Sequence, residues 1–106
     1  MRKGIFVVQA APADPSREDE FNDWYSGTHV PELLAVEGFV SARRYRLTGD
    51  DGSATHPYLA VYEIEAEDLA APLRELRRRA AEGGSTPSTA LRLDPPPITA
   101  LYELLD

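Results

Sequence analysis

Cysteine is absent from this chain, and its absence excludes disulfide bonds and thiolate metal sites. Histidine is scarce, with 2 copies in 106 residues, so few side chains could transfer protons or ligate a metal near neutral pH. No apolar run approaches the ~20 residues needed to span a bilayer. The composition therefore predicts a protein that has no membrane partner.

Positive charge is also in short supply. The 11 Lys and Arg residues against 18 Asp and Glu residues give a net charge of -7, which argues against nucleic acid as the main partner. A chain of 106 residues corresponds to one small domain, residues 1–106, which a dimer would help to stabilise. Residues 1–8 are basic and then apolar, like a short signal peptide, but the apolar part ends by Gln9. A strand is the better interpretation, and we expect a cytoplasmic protein.

Local patterns predict the element order β-α-β-β-α-β. The predicted strands span residues 3–10, 38–47, 58–65 and 98–105, and the predicted helices span residues 14–25 and 67–82. Gly27 and Pro31 are expected to break the first helix before a short helical piece at 31–36. This order predicts a ferredoxin-like α+β fold, in which a four-stranded antiparallel sheet carries both helices on one face. The other face carries apolar residues and needs a cover, which a second copy of the sheet would supply.

The end of the first helix carries the most informative segment, residues 21–32, which read FNDWYSGTHVPE. Trp24 and Thr28 share one helical face, and Tyr25 and His29 follow each other by one turn. An aromatic and polar stripe suits a pocket wall better than a packed core. We predict Trp24, Tyr25 and Thr28 as substrate-binding residues and His29 as a catalytic acid or base, because the unperturbed pKa of histidine is about 6.5.

The second strand carries an arginine that alternates with apolar residues. Alternation places Arg43 and Tyr45 on the side that faces the helices, where Arg43 either pairs with a helix carboxylate or anchors a carboxylate, enolate or phenolate. Arg44 takes this role if the two faces are inverted. Tyr45 and Tyr62 are predicted to line the pocket, although Tyr62 could instead pack at a dimer interface.

Simpler explanations exist for several of these residues. His29 could cap the broken helix, and Trp24 could be an ordinary core residue. His29 or His56 could be named as a haem ligand, but nothing else favours a macrocycle, and two histidines make a poor metal site. We therefore expect no metal and no cofactor.

Two segments together resemble the dimeric α+β barrel superfamily. These are residues 23–34, DWYSGTHVPELL, and residues 37–45, EGFVSARRY. The patterns W-Y-x-x-x-H-x-P and G-F-x-x-x-R-R-Y are most similar to its EthD-like branch. The resemblance implies a homodimer of face-to-face sheets and a pocket between helices and sheet in each subunit. It also implies that His29 lines this pocket and that Trp24 and Tyr25 belong to its wall.

Members of this superfamily include cofactor-free oxygenases of aromatic polyketides, dehydratases, cyclases, lactone isomerases, haem-dependent enzymes and proteins of no known activity, so the fold does not settle the function. Our leading hypothesis is a homodimeric, cofactor-independent enzyme that acts on an aromatic, polyketide-like or other hydrophobic small molecule. His29 moves a proton, and Arg43 stabilises the negative charge that develops on the substrate. Dehydration, cyclisation, isomerisation and oxygenation all remain open. The alternatives are a non-catalytic ligand-binding module and a structural dimer.

Overall fold

The computed structural model describes residues 1–106 and contains one sheet and two helical regions. The strands are β1 (Arg2–Ala10), β2 (Phe39–Arg46), β3 (Tyr58–Ala66) and β4 (Ile98–Glu103), and the helices are α1 (Glu18–Trp24), α2 (Val30–Leu34) and α3 (Ala71–Ala81). All strand pairs are antiparallel, and their order is β2-β3-β1-β4. The predicted ferredoxin-like α+β fold is confirmed. None of the helices combines the length and the apolar character that crossing a membrane requires.

The hydrophobic core lies between the sheet and the helices. Alternate residues of the two central strands point towards it, because successive side chains of a strand face opposite sides. Phe6 of β1, Tyr62 of β3 and Phe21 of α1 are buried there, and the rings of Phe6 and Tyr62 lie 6.1 Å apart. Gly38 leads from α2 into β2 with φ of 102°, a conformation that favours glycine.

The first helical region is continuous, so the prediction of a break at Gly27 and Pro31 is wrong. A π-helical turn, Tyr25–His29, joins α1 directly to α2, and the backbone N–H of Val30 donates to the carbonyl of Tyr25. Pro31 has no N–H to donate to Gly27, and in an α-helix its ring would clash with that carbonyl. We infer that the wider π turn relieves this clash without ending the helix.

The second strand contains a bulge that inverts the predicted faces. The pairing of β2 with β3 shifts between Phe39 and Ser41, so that Phe39 and Arg44 both lie on the helix side. Arg43 and Tyr45 therefore lie on the opposite face, where both are exposed. The prediction that Arg43 and Tyr45 face the helices is wrong, because one extra residue in a strand reverses every side chain beyond it.

The face of the sheet without helices is open and carries several exposed apolar side chains. Large hydrophobic side chains on this face are exposed to between 37% for Ile5 and 56% for Tyr102. These two residues pair across β1 and β4, and they line a surface cleft of about 450 Å³. Exposed apolar patches of this kind mark interaction surfaces in many proteins.

Candidate functional site

The π turn places three aromatic rings against one another. The indole of Trp24 and the imidazole of His29 stack, with ring centroids 4.9 Å apart and an angle of 21° between planes. The Tyr25 ring meets the same imidazole edge-on at 4.9 Å. Residues five apart do not face each other on an α-helix, so the stack of Trp24 on His29 depends on the wider turn.

His29 opens onto a cleft of about 360 Å³ between α2 and α3. The cleft is lined by His29, Glu32, Leu33, Ala35, Leu76, Arg77, Arg79, Ala80, Gly84 and Ser85. The loop after α3 borders it and is held at Thr86. The Trp24 indole donates to the Thr86 carbonyl at 2.8 Å, and the Glu32 carboxylate accepts from the Thr86 backbone N–H at 2.9 and 3.1 Å.

The environment of His29 favours its neutral form. Burial lowers the pKa of the imidazole, the nearby Glu32 carboxylate acts against this, and the Arg44 guanidinium adds to it. No hydrogen bond contributes to the shift. The ring is therefore uncharged at pH 7 and can accept a proton.

Arg44, rather than Arg43, reaches the helix side of the sheet. Its guanidinium carbon lies 4.5 Å from the centroid of the Tyr25 ring, within cation–π distance. It donates at 2.9 Å both to the Ser26 hydroxyl and to the Asn22 side-chain carbonyl. Burial lowers the pKa of Arg44, and the groups that oppose this shift are tyrosines, not carboxylates. Tyr25 thus stands between His29 on one side and Arg44 on the other.

A chain of hydrogen bonds leads from Arg44 to the protein surface. The Asn22 side-chain N–H donates to the Tyr58 hydroxyl at 3.4 Å, and the Tyr58 hydroxyl donates to Glu18 through a very short contact. Arg46 approaches the same Glu18 carboxylate at 3.8 Å. These hydrogen bonds orient the Asn22 amide so that its oxygen faces Arg44 and its N–H faces Tyr58.

Two buried hydroxyls near Arg44 have no hydrogen-bond partner. Tyr25 is 2% exposed and Tyr62 is 0% exposed, and neither phenolic oxygen makes a hydrogen bond. Burial raises the pKa of both phenols, so they are neutral donors at physiological pH. The two hydroxyls lie close to each other, and their interaction opposes the rise in the pKa of Tyr25 and adds to the rise in the pKa of Tyr62.

The structure brings together most, but not all, of the predicted site residues. Trp24, Tyr25 and His29 are in mutual contact, and Tyr62 lies next to Tyr25. Thr28 is half-buried within the π turn. Sequence reasoning missed Asn22, although its position one helical turn before Ser26 could have suggested that both face the same strand.

The second histidine of the chain, His56, is held by two hydrogen bonds. No group of three or more His, Asp or Glu side chains is arranged to hold a metal ion. Both ring nitrogens of His56 are engaged, one with the Thr55 hydroxyl at 2.9 Å and the other with the Pro96 carbonyl at 2.8 Å. His56 is therefore poorly suited to ligate a haem iron.

Comparison with solved structures identifies the class of fold. A proposed monooxygenase from Shewanella loihica PV-4 matches 100% of this chain and 98% of its own, with a TM-score of 0.62 and 19% identity. An EthD family protein from Bacillus halodurans C-125 matches 99% of this chain and 100% of its own, with a TM-score of 0.63 and 16% identity. These likenesses show that the chain shares the α+β fold of both proteins, one of which belongs to the EthD family that the sequence resembles.

A third similar structure is the ActVA-Orf6 monooxygenase of Streptomyces coelicolor in complex with nanaomycin D. It matches 97% of this chain and 88% of its own, with a TM-score of 0.54 and 17% identity. Among curated protein sequences, none matches significantly. The chain belongs to the family described as domain of unknown function DUF4286, which it matches over residues 5–76.

Proposed function

We propose that the protein is a small homodimeric enzyme that needs no cofactor and moves a proton on an aromatic, polyketide-like or other hydrophobic small molecule. The observation that carries this proposal is the setting of His29. Its neutral imidazole stacks on Trp24 and opens onto a cleft. An imidazole of this kind is suited to act as a general base near pH 7.

Two groups can stabilise the two charged products of a proton transfer, the imidazolium of His29 and the anionic substrate. Once His29 accepts a proton, the Glu32 carboxylate favours the imidazolium. Arg44 replaces Arg43 as the group that stabilises negative charge on a substrate oxygen, because Arg44 lies on the correct face of β2. Dehydration, cyclisation, isomerisation and oxygenation can all begin with this step, and we propose no choice among them.

The substrate class can be tested with a panel of hydroxylated quinones and aromatic polyketide fragments. Nanaomycin D, the ligand of the Streptomyces structure, belongs in the panel. Consumption is followed by liquid chromatography and mass spectrometry, with and without dioxygen. We expect a His29→Gln variant to lose roughly 100-fold or more in rate, the usual contribution of general acid–base catalysis.

His56→Gln is the matched control, since this variant alters the other histidine, which is engaged with Thr55 and Pro96. It should keep the wild-type rate. Equal rates for wild type and His29→Gln on a compound that the wild type consumes would contradict the role of His29.

The homodimer is proposed to form through the open face of the sheet. Support comes from the row of exposed apolar residues there, which include Ile5, Tyr45 and Tyr102. Sedimentation should give about twice the chain mass of 11.7 kDa. A Tyr102→Lys variant should dissociate, whereas Leu34→Lys, on an exposed position of α2, should not. A wild-type monomer at high concentration would contradict this arrangement.

A second candidate function is a binding module or a structural dimer without catalysis. The structural dimer is favoured by the packing between α1 and the sheet, where the side chains of Phe21, Tyr25 and Tyr62 are buried and fill the space in which the superfamily resemblance implies a pocket. Saturable ligand binding without consumption, retained in His29→Ala, would favour the binding module. A structural dimer predicts that His29→Ala changes stability alone.

A further inference from the structure

Arg44 differs from most arginines of this protein in having no acidic partner. Six arginines form ion pairs with carboxylates, namely Arg2, Arg17, Arg46, Arg74, Arg78 and Arg79. Arg44 forms none, although it is half-buried in a chain that carries 18 acidic residues. A partly desolvated cation without a counter-ion is costly, so its retention calls for an explanation.

The contacts of Arg44 hold it in place but leave much of its binding capacity free. The ring of Tyr25 supports the guanidinium at 4.5 Å, and Phe21 and Tyr58 lie at 5.6 and 5.7 Å. A guanidinium has five N–H donors. Two are used, one on Ser26 and one on Asn22, and these bonds fix the plane of the group. Three donors remain for an external acceptor.

Asn22 is the residue that keeps this cation uncompensated. Its side-chain carbonyl accepts from Arg44, and its side-chain N–H donates to the Tyr58 hydroxyl. The Tyr58 hydroxyl in turn donates to the Glu18 carboxylate. The Glu18 carboxylate therefore interacts with Tyr58 and Arg46 rather than with Arg44. An aspartate at position 22 would have the same shape and would supply the missing counter-ion.

We propose that Arg44 is the binding site for the anionic group of a planar aromatic ligand, a carboxylate or phenolate, and that Asn22 is the positioning residue that keeps Arg44 available. The planar donors of arginine suit bidentate binding of such a group. The ligand class rests on the proposed function, but binding at Arg44 does not require proton transfer by His29.

The test compares an anionic aromatic probe with its neutral analogue. The probes are 1-hydroxy-2-naphthoate and 1-hydroxy-2-naphthamide, and their affinities for the full chain are measured by calorimetry. Wild type is expected to bind the naphthoate more tightly. Arg44→Gln and Asn22→Asp should each weaken naphthoate binding about tenfold or more, because each removes a charge-assisted interaction with the ligand. Affinity for the naphthamide should change little.

Arg43→Gln is the matched control, since Arg43 lies next in the chain but on the other face of the sheet. It should bind both probes like the wild type. Asn22→Asp should also melt no lower than wild type, because the new carboxylate pairs with Arg44. The site is refuted if wild type binds neither probe or binds both equally, if Arg43→Gln weakens binding as much as Arg44→Gln, or if Asn22→Asp binds normally.

These outcomes are separate from those of the catalytic test. If the naphthoate test refutes binding at Arg44 while His29→Gln loses rate, the anion site is overturned and the proton-transfer proposal stands. If naphthoate binds tightly at Arg44 while His29→Gln keeps the wild-type rate, the anion site stands and the proton-transfer proposal is overturned.

Discussion

A Tyr25→Phe/Tyr62→Phe variant is expected to be more stable than the wild type. Both hydroxyls are buried without a hydrogen-bond partner. A buried, unsatisfied polar group costs about 1–3 kcal/mol, and the two neighbouring hydroxyls partly compensate each other, so removing both should raise the free energy of unfolding by about 1 kcal/mol or more. For a domain of this size, that corresponds to a rise in Tm of roughly 4 °C or more, measured by thermal or denaturant unfolding.

Tyr58→Phe is the matched control for this prediction. The Tyr58 hydroxyl bonds to both Glu18 and Asn22, so its removal should destabilise the protein. If the double variant were less stable than the wild type, an interaction of the two hydroxyls, for example with a buried water, would have to be present and the account of an unsatisfied pair would be wrong.

Protonation of His29 is expected to quench the fluorescence of Trp24 and to destabilise the protein. Trp24 is the single tryptophan of the chain, and it stacks on the His29 ring at 4.9 Å, so its emission reports on this ring directly. A protonated imidazole in contact with an indole withdraws electron density from its excited state. The emission should therefore fall as the pH is lowered. The midpoint of this change should lie below pH 6.5, because burial lowers the pKa of His29.

The sign of the stability change follows from the lowered pKa. Between the lowered pKa of folded His29 and about 6.5, the unfolded chain binds more protons than the folded chain. Stability therefore falls as the pH drops from 6.5 to the folded pKa, and it rises in the other direction. His29→Gln should lose both the fluorescence change and this component of the stability profile, whereas His56→Gln should keep them. A midpoint above 6.5 would contradict the lowered pKa.

The elements of the sheet could be predicted from the sequence because they depend on local pattern. Alternating apolar residues and turn signals locate the predicted strands 3–10 and 58–65 within a residue of β1 (Arg2–Ala10) and β3 (Tyr58–Ala66). The wrong face of β2 followed from one bulge near Val40, and a bulge leaves little trace in an alternation pattern.

The site was predicted less completely, because its geometry depends on features that sequence spacing does not encode. Trp24 and His29 are five residues apart, and α-helical spacing alone would not stack them. The setting of Arg44 depends on partners that lie far away in sequence, such as Asn22, which is 22 positions earlier. The missing counter-ion of Arg44 becomes visible when all ion pairs of the fold are known.

The central claim is that a ligand binds beside Trp24 with a polar atom at His29. The most direct measurement is a crystal structure of the protein soaked with hydroxylated aromatics and polyketide fragments. We predict density for a planar compound against Trp24, with an oxygen within hydrogen-bond distance of the His29 ring. A site that excludes all these compounds, with the His29 ring bonded to a backbone carbonyl, would contradict the claim and leave a structural dimer.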